Sequence, residues 1–160
     1  MKDIKLLYLN DSKEIVQEIS QINSLEDYDI SKLLFVQKNQ LTDLFKIYSK
    51  DALNFAETDC DDITYEYVNK DYENQTADLK VKEENLANIK DYLISKITAW
   101  ANYLIDKRKE YVLNTIDFND TSEYTLYRGR INSAKQTIID SINTATTIEQ
   151  IIDINYNWPN

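Results

Sequence analysis

Three carboxylates beside a single thiol form the cluster with the clearest potential for chemistry. Asp59, Asp61 and Asp62 lie next to Cys60. Calcium-binding loops combine alternating oxygen ligands with a glycine at the sharp turn and a bidentate glutamate near the end. This segment has no glycine and no glutamate at that spacing. We therefore predict that no metal is bound here.

A reactive thiol needs a neighbouring group that lowers its pKa. The chain contains one cysteine and no histidine, and four acids lie within five residues of Cys60, an environment that raises a thiol pKa. The absence of histidine also excludes histidine-dependent triads and histidine-ligated zinc. The only glycine, Gly129, cannot form a phosphate-binding glycine loop. The residues thus predict a non-enzymatic protein without a cofactor.

The charge distribution argues against direct binding of nucleic acid. The net charge is −10, whereas phosphate recognition needs a basic surface. The basic run Lys107-Arg108-Lys109 is flanked by Asp106 and Glu110, which is typical of a solvated helix face. Without accompanying positive charge, the twelve tyrosines are interpreted as core-edge and interface residues rather than as a platform for bases.

Residues 57–73 are strongly acidic. Seven acids face a single lysine, Lys70, in this stretch. The acids are Glu57, Asp59, Asp61, Asp62, Glu66, Asp71 and Glu73. Either the stretch is a solvated loop, which we favour, or it is an acidic surface that imitates nucleic acid and binds a basic partner.

The elements that must position these residues are predicted to be helical. One glycine and one proline in 160 residues leave few turn residues for a fold of many short strands. We expect a mainly α protein, an elongated helical bundle with one long central helix and at most one short β element. We expect residues 1–73 to form an N-terminal helical region with an acidic connector, residues 74–160 to form the long helix and a C-terminal helical module, and the two regions to make one continuous folded unit.

Local patterns give the expected elements of the first half. Residues 4–9 are either a strand or the lead-in to a helix. Spacing typical of a capping box at residues 11–14 predicts a helix over residues 12–22. An apolar stripe predicts a second helix from Asp29 to Thr58. Residues 63–68 alternate as in a strand and are expected to be extended, with residues 4–9 as a candidate partner.

The longest pattern predicts a helix over residues 75–114. Its apolar stripe repeats every eleven residues, which favours straight or weakly right-handed packing. The stripe is longer than one small domain usually needs, so self-association or a protein partner is expected along it. The candidate partner-binding residues are Leu86, Ile89, Leu93, Ile97, Trp100, Leu104 and Tyr111, together with Trp158 near the C-terminus. Arg108 continues the stripe.

The last third of the chain predicts two more helices. Capping-box spacing at residues 120–123 precedes a stripe of Tyr127, Ile131, Ala134, Ile138 and Ile142, which predicts one amphipathic helix. The same spacing at residues 146–149 predicts a short helix to about residue 154.

A resemblance to a known family is carried by this C-terminal part. Residues 138–151, with their helix, Ala-Thr-Thr cap and Glu149, together with the terminal Trp158-Pro159, resemble the C-terminal segment of phage tail-fibre-associated proteins. Residues 111–119 resemble the stretch that precedes it in those proteins. The resemblance is confined to residues 111–119 and 130–159, and it implies no catalytic residues.

Two functions are therefore expected. The first is a phage virion or tail-associated structural protein that binds itself or other virion proteins. The alternative is a small acidic inhibitor of a basic host nuclease, of the anti-restriction or anti-CRISPR type. The apolar run at residues 4–9 is too short for a signal peptide or a membrane span. The protein is therefore expected in the host cytoplasm when made, and in the virion if structural.

Overall fold

The computed structural model describes residues 3–21, 24–49, 62–115 and 122–159. Contacts divide the chain into two units: residues 1–50 with 54–85, and residues 51–53 with 86–160. We call them the sheet unit and the helical unit. The division after Asn85 differs from the predicted boundary after residue 73, which falls in the turn between two paired strands.

A five-stranded mixed sheet forms the sheet unit. Its strands are β1 (Leu6–Leu9), β2 (Ile15–Ile19), β3 (Leu33–Asn39), β4 (Tyr65–Asp71) and β5 (Thr76–Val81). The spatial order is β2-β1-β3-β5-β4, and β3 with β5 is the parallel pair. Helix α1 (Gln40–Ser49) follows β3, and single 3₁₀ turns cover Ile30–Lys32 and Glu83–Asn85. Strands β2 and β4 are therefore the two edges of the sheet.

Both faces of the sheet are covered by apolar side chains. On the inner face, Leu7 lies opposite Leu34, and Leu79 is buried with them. On the outer face, Leu6 lies opposite Ile19. Both belong to a cluster with Leu33 that Tyr8, Leu25 and Tyr28 cover. A strand buried on both faces shows a continuous apolar run instead of an alternation.

The prediction of a mainly α, elongated helical bundle is wrong. Helices make up 52% and strands 22% of the structure, with five strands in one sheet. Strand β2 replaces the helix predicted over residues 12–22, and β3 precedes α1 where one helix was predicted from Asp29 to Thr58. Residues 50–58 of that prediction lie outside the described residues. Strand β5 occupies the start of the helix predicted over residues 75–114.

The two segments with ambiguous or strand-like patterns are extended. Residues 4–9 include β1, and residues 63–68 include the start of β4. The expected extended conformation of residues 63–68 is confirmed, but their partner is β5 and not residues 4–9. Strand β1 pairs with β2 and β3 instead.

A single asparagine closes the turn between β1 and β2. Its side-chain Oδ1 accepts hydrogen bonds from the N–H groups of Ser12 and Glu14, each at 2.9 Å, which is why Asn10 fixes the loop. Lys13 takes a positive φ of 63° in this turn, although such a conformation usually favours glycine. The only glycine, Gly129, lies instead inside a helix with open space around it.

An aspartate has the same role between β4 and β5. Asp71 Oδ1 accepts hydrogen bonds from the N–H groups of Glu73 and Asn74 at 3.0 and 2.9 Å. These bonds, chiefly from Asn74, hold the pKa of Asp71 below its usual value. Asn69 and Gln75, on either side, take positive φ values of 52° and 55°. Scarcity of glycine therefore does not exclude a sheet, because polar side chains close its turns.

Three helices form the described part of the helical unit. They are α2 (Leu86–Thr115), α3 (Ser122–Thr144) and α4 (Ile148–Ile152), and α2 packs against α3. The two helices predicted from the last third of the chain are confirmed as α3 and α4. Ile131, Ile138 and Ile142 of the predicted stripe are buried in α3. The long predicted helix exists as α2, but it begins eleven residues later than predicted.

Helix α4 begins at a cap close to the predicted one. Thr147 accepts a hydrogen bond from the N–H of Gln150 at 3.2 Å through its hydroxyl oxygen. The Gln150 side chain reaches back and accepts a hydrogen bond from the N–H of Thr146 at 2.6 Å. The N-cap is therefore Thr147 and not Thr146, and the returning bond from Gln150 reaches the residue before the N-cap instead of the N-cap N–H of a regular capping box.

We predict that Asn10→Ala destabilises the fold by about 1–2 kcal/mol, because two backbone N–H groups lose their acceptor and the strained turn loses its support. Urea unfolding followed by circular dichroism measures the change. Ser12→Ala, in the same turn, is the matched control and should change stability by less than about 0.5 kcal/mol. Equal losses in the two variants would contradict the role given to Asn10.

Candidate functional site

Glu18, Tyr65 and Tyr67, which we call the seam cluster, connect the two edges of the sheet. Glu18 lies on β2, whereas Tyr65 and Tyr67 lie on β4. The Tyr67 hydroxyl donates to Glu18 Oε1 at 2.7 Å, and the Tyr65 hydroxyl donates to Glu18 Oε2 at 2.9 Å. The two rings meet edge to face at 5.9 Å. Side-chain hydrogen bonds on the inner face thus connect the two opposite edges of the sheet.

The seam cluster changes the acidity of both phenols. Burial, followed by the hydrogen bond to Glu18 and its negative charge, raises the pKa of Tyr65 to about 12. The same causes raise the pKa of Tyr67 further. Both phenols therefore stay protonated at neutral pH and act as donors to the carboxylate. The Glu18 carboxylate thus accepts one hydrogen bond from each phenol.

Sequence patterns indicated only the two tyrosines of the seam cluster. The alternation at residues 63–68 places Tyr65 and Tyr67 on one face of a strand. Glu18 fell within the helix predicted over residues 12–22, so its position on an edge strand was missed. A pairing between residues 47 positions apart leaves no local signal, because it depends on the curl of the whole sheet.

The predicted acidic segment is divided by the structure. Glu57, Asp59 and Asp61 lie outside the described residues, as does Cys60. Asp62, Glu66 and Glu73 are exposed. Asp71 closes the β4–β5 turn, so its carboxylate has a structural role in the described chain.

Most of the negative charge belongs to the sheet unit. This unit contains 18 acids and ten lysines, a net charge of −8. The helical unit contains ten acids and eight basic residues, a net charge of −2. The acidity of the protein is therefore concentrated in the sheet unit.

An arginine joins the last turns of α2 to the first turns of α3. The Arg108 guanidinium lies 5.2 Å from the ring centre of Tyr111 and 5.5 Å from that of Tyr127. It also forms an ion pair with Glu123. Arg108 was predicted to lie on a solvated face, but its guanidinium is engaged by two tyrosines and a carboxylate. The contact was not visible in sequence, because Tyr127 lies on another helix.

Large apolar side chains are exposed at this end of the helical unit. Tyr103, Tyr111 and Leu126 are exposed to 46%, 53% and 63%. Trp100 stacks on Tyr103 with ring centres 5.0 Å apart, and the Lys107 ammonium lies 5.7 Å from the Tyr103 ring. We call Trp100, Tyr103, Lys107, Tyr111 and Leu126 the aromatic surface. Exposed aromatic side chains beside cations are enriched in protein interfaces.

The predicted partner-binding stripe is only partly exposed. Ile89, Leu93 and Ile97 are exposed to no more than 8%, so they belong to the core of the chain itself. Leu86, Trp100 and Leu104 are half-buried, whereas Tyr111 is exposed. The buried members cannot meet a partner without unfolding of the unit, which leaves the C-terminal half of the stripe as the accessible part.

The C-terminal tail is anchored by a tyrosine that sequence analysis did not single out. Tyr156 is buried, and its hydroxyl donates to the carbonyl oxygen of Ile151 at 2.9 Å. Trp158, the predicted anchor or subunit contact, is half-buried.

Other candidate sites are weak in the part of the chain that the structure describes. It contains no group of three potential metal ligands. A hollow of about 260 Å³ lies at one end of the sheet, above Leu33 and Leu34. Its two lysines are engaged: Lys32 pairs with Asp11 at 2.6 Å, and Lys13 lies over a tyrosine ring. Among the described helices, none is long and apolar enough to cross a membrane.

We predict that Glu18→Ala destabilises the fold by about 1–3 kcal/mol, because two half-buried phenol hydroxyls lose their acceptor. Glu18→Gln should lose less, since its amide oxygen still accepts a hydrogen bond. Urea unfolding at neutral pH measures both. The control is Glu26→Ala, which removes an exposed carboxylate elsewhere in the sheet unit. If the seam cluster has no structural effect, all three variants should have the same free energy of unfolding as the wild type.

Comparisons with known proteins add no relative to this picture. No family model, curated protein or solved structure matches the chain. The C-terminal resemblance to phage tail-fibre-associated proteins therefore stays a prediction. Function is inferred from the described residues, their contacts and their charges.

Proposed function

We propose that the chain is a non-enzymatic structural protein of a phage virion or tail, which binds other virion proteins through its helical unit. The observation that carries the proposal is the aromatic surface, where Tyr103, Tyr111 and Leu126 are each exposed and the Lys107 ammonium lies over the Tyr103 ring. Apolar area of this kind favours burial against another protein.

The rigidity of this region supports the proposal. Arg108 holds Tyr111 and Tyr127 in place and fixes α2 against α3. Side chains that are already positioned lose little conformational entropy when they bind. The two stretches that carry the phage resemblance, residues 111–119 and 130–159, also belong to the helical unit.

We predict that mass spectrometry of purified virions detects the chain, and that Tyr103→Ala with Leu126→Ala lowers its incorporation at least about tenfold. Loss of two interface anchors worth about 1 kcal/mol each supplies that factor. Tyr111 is left intact because it also contacts Arg108. The control is Tyr72→Ala, which removes an exposed tyrosine of the sheet unit. Virions that lack the wild-type chain would overturn the proposal.

A second candidate function is inhibition of a basic host nuclease. The observation that favours it is the net charge of −8 on the sheet unit, against −2 on the helical unit. An acidic surface concentrated on one unit attracts the positively charged channel of a nuclease and competes there with nucleic acid.

This candidate predicts that the chain inhibits DNA cleavage by restriction or CRISPR nucleases at about 0.1 M salt, where screening extends over about 10 Å. Replacing Asp62, Glu66 and Glu73 by their amides should weaken inhibition at least about tenfold, since each lost contact contributes roughly 0.5–1 kcal/mol.

The matched control removes the same number of charges from the other unit. It replaces Asp91, Asp106 and Glu110 by their amides and should retain inhibition. Equal effects of the two triple variants would indicate a response to net charge alone and would argue against an inhibitory surface on the sheet unit.

A further inference from the structure

The side of β4 that faces away from β5 presents backbone groups next to the seam cluster. Lys82 N–H donates to the carbonyl oxygen of Thr64 at 3.0 Å in the β4–β5 ladder. Hydrogen-bonded and non-hydrogen-bonded positions alternate along an antiparallel pair. The backbone N–H and C=O groups of Tyr65 and Tyr67 therefore point away from β5.

The same alternation applies to β2 on the opposite edge. Val36 N–H donates to the carbonyl oxygen of Lys5, which directs this carbonyl toward β3, whereas the Lys5 N–H donates to the carbonyl oxygen of Ile19 on β2. The backbone N–H and C=O groups of the next residue, Leu6, therefore point toward its partner Ile19 on β2. The backbone of Glu18, next to Ile19, then faces away from β1. No ladder joins β2 to β4 among the described residues.

We infer that the seam between β2 and β4 is a strand-addition site for an extended, lysine- or arginine-rich segment of a partner protein. Main-chain hydrogen bonds to an exposed edge provide affinity in this mode of recognition, and the alternate side chains provide specificity. One strand in the seam would pair with outward backbone groups of Glu18 on one side and of Tyr65 and Tyr67 on the other.

Charge selects a basic segment as the occupant. Residues 14–19 and 62–71, which contain the two edges, hold five acids and one lysine, a net charge of −4. An acidic strand would be repelled by this seam, whereas a lysine or arginine side chain on the inner face meets the Glu18 carboxylate. It also meets the rings of Tyr65 and Tyr67, which attract cations.

The edges also limit the length of the added strand. The pairing is irregular between Tyr8 and Leu9 and again between Val68 and Asp71. Bulges of this kind twist an edge and interrupt regular pairing. The seam therefore accepts a short segment and does not template extended sheets. It is separate from the aromatic surface, so the inference stands independently of the proposed structural role.

The test uses the full-length chain and a fluorescein-labelled short peptide of alternating valine and lysine. Fluorescence anisotropy should show saturable binding that weakens at least about tenfold from 0.05 M to 0.5 M salt, since screening shortens the range of the attraction. Hydrogen exchange followed by NMR should show protection of the Glu18, Tyr65 and Tyr67 amides on peptide addition.

Two peptide controls separate strand addition from simple charge attraction. A peptide with glutamate in place of lysine should not bind. A lysine peptide with N-methylated backbone amides keeps its charge but loses its donors, so it should bind at least about tenfold more weakly. Equal binding of the methylated peptide would overturn the inference.

Two chain variants locate the site. Glu18→Gln should weaken peptide binding about fivefold to tenfold and retain the fold through its amide oxygen. Glu26→Gln, with the same loss of charge away from the edges, should bind as the wild type does. Equal weakening by the two variants, or slow exchange of the three amides before peptide is added, would overturn the inference.

Discussion

The sheet unit depends on one carboxylate. Five strands in an open sheet leave two edges, and an unmanaged edge exposes a row of unpaired backbone groups. Glu18 receives hydrogen bonds from Tyr65 and Tyr67 across the inner face and so holds the first and last strands of the spatial order near each other. This contact adds a direct side-chain link between β2 and β4 to the ladders that connect them through the other three strands.

A carboxylate is suited to this position because it accepts two donors at once. Each phenol contributes a single O–H, and the two oxygens of Glu18 accept one from each ring. The charge is thereby stabilised although its surroundings are half-buried. An apolar side chain at position 18 would leave both hydroxyls without an acceptor, so the three residues act as one structural group.

Much of the helical unit could be predicted from sequence. The stripe of α3 and the cap of α4 follow from local periodicity and capping, and both act within a few residues. The sequence-based prediction missed the sheet for two physical reasons. Leu33 and Leu34 are buried on opposite faces of β3, so burial on both sides removes the alternation by which a strand is recognised.

The second reason is turn chemistry. The shortage of glycine argued against a fold of many short strands, but Asn10 and Asp71 stabilise turns in which Lys13, Asn69 and Gln75 take positive φ. The contribution of a side-chain acceptor to such a turn depends on its geometry, which residue types alone do not specify. The prediction of the candidate sites failed in part because it, too, depends on geometry that residue types do not specify. Glu18 meets β4, and Arg108 meets Tyr127, through tertiary packing that no local pattern encodes.

The division of charge shows why net charge is a poor guide to what a partner meets. Of the net charge of −10, −8 belongs to the sheet unit and only −2 to the helical unit. Screening at about 0.1 M salt confines each charge to roughly 10 Å of influence. A partner therefore responds to the surface that it touches and not to the sum over the chain. Acidic edges that favour a basic strand and an aromatic surface that favours burial can coexist on one small protein, because each acts within its own short range.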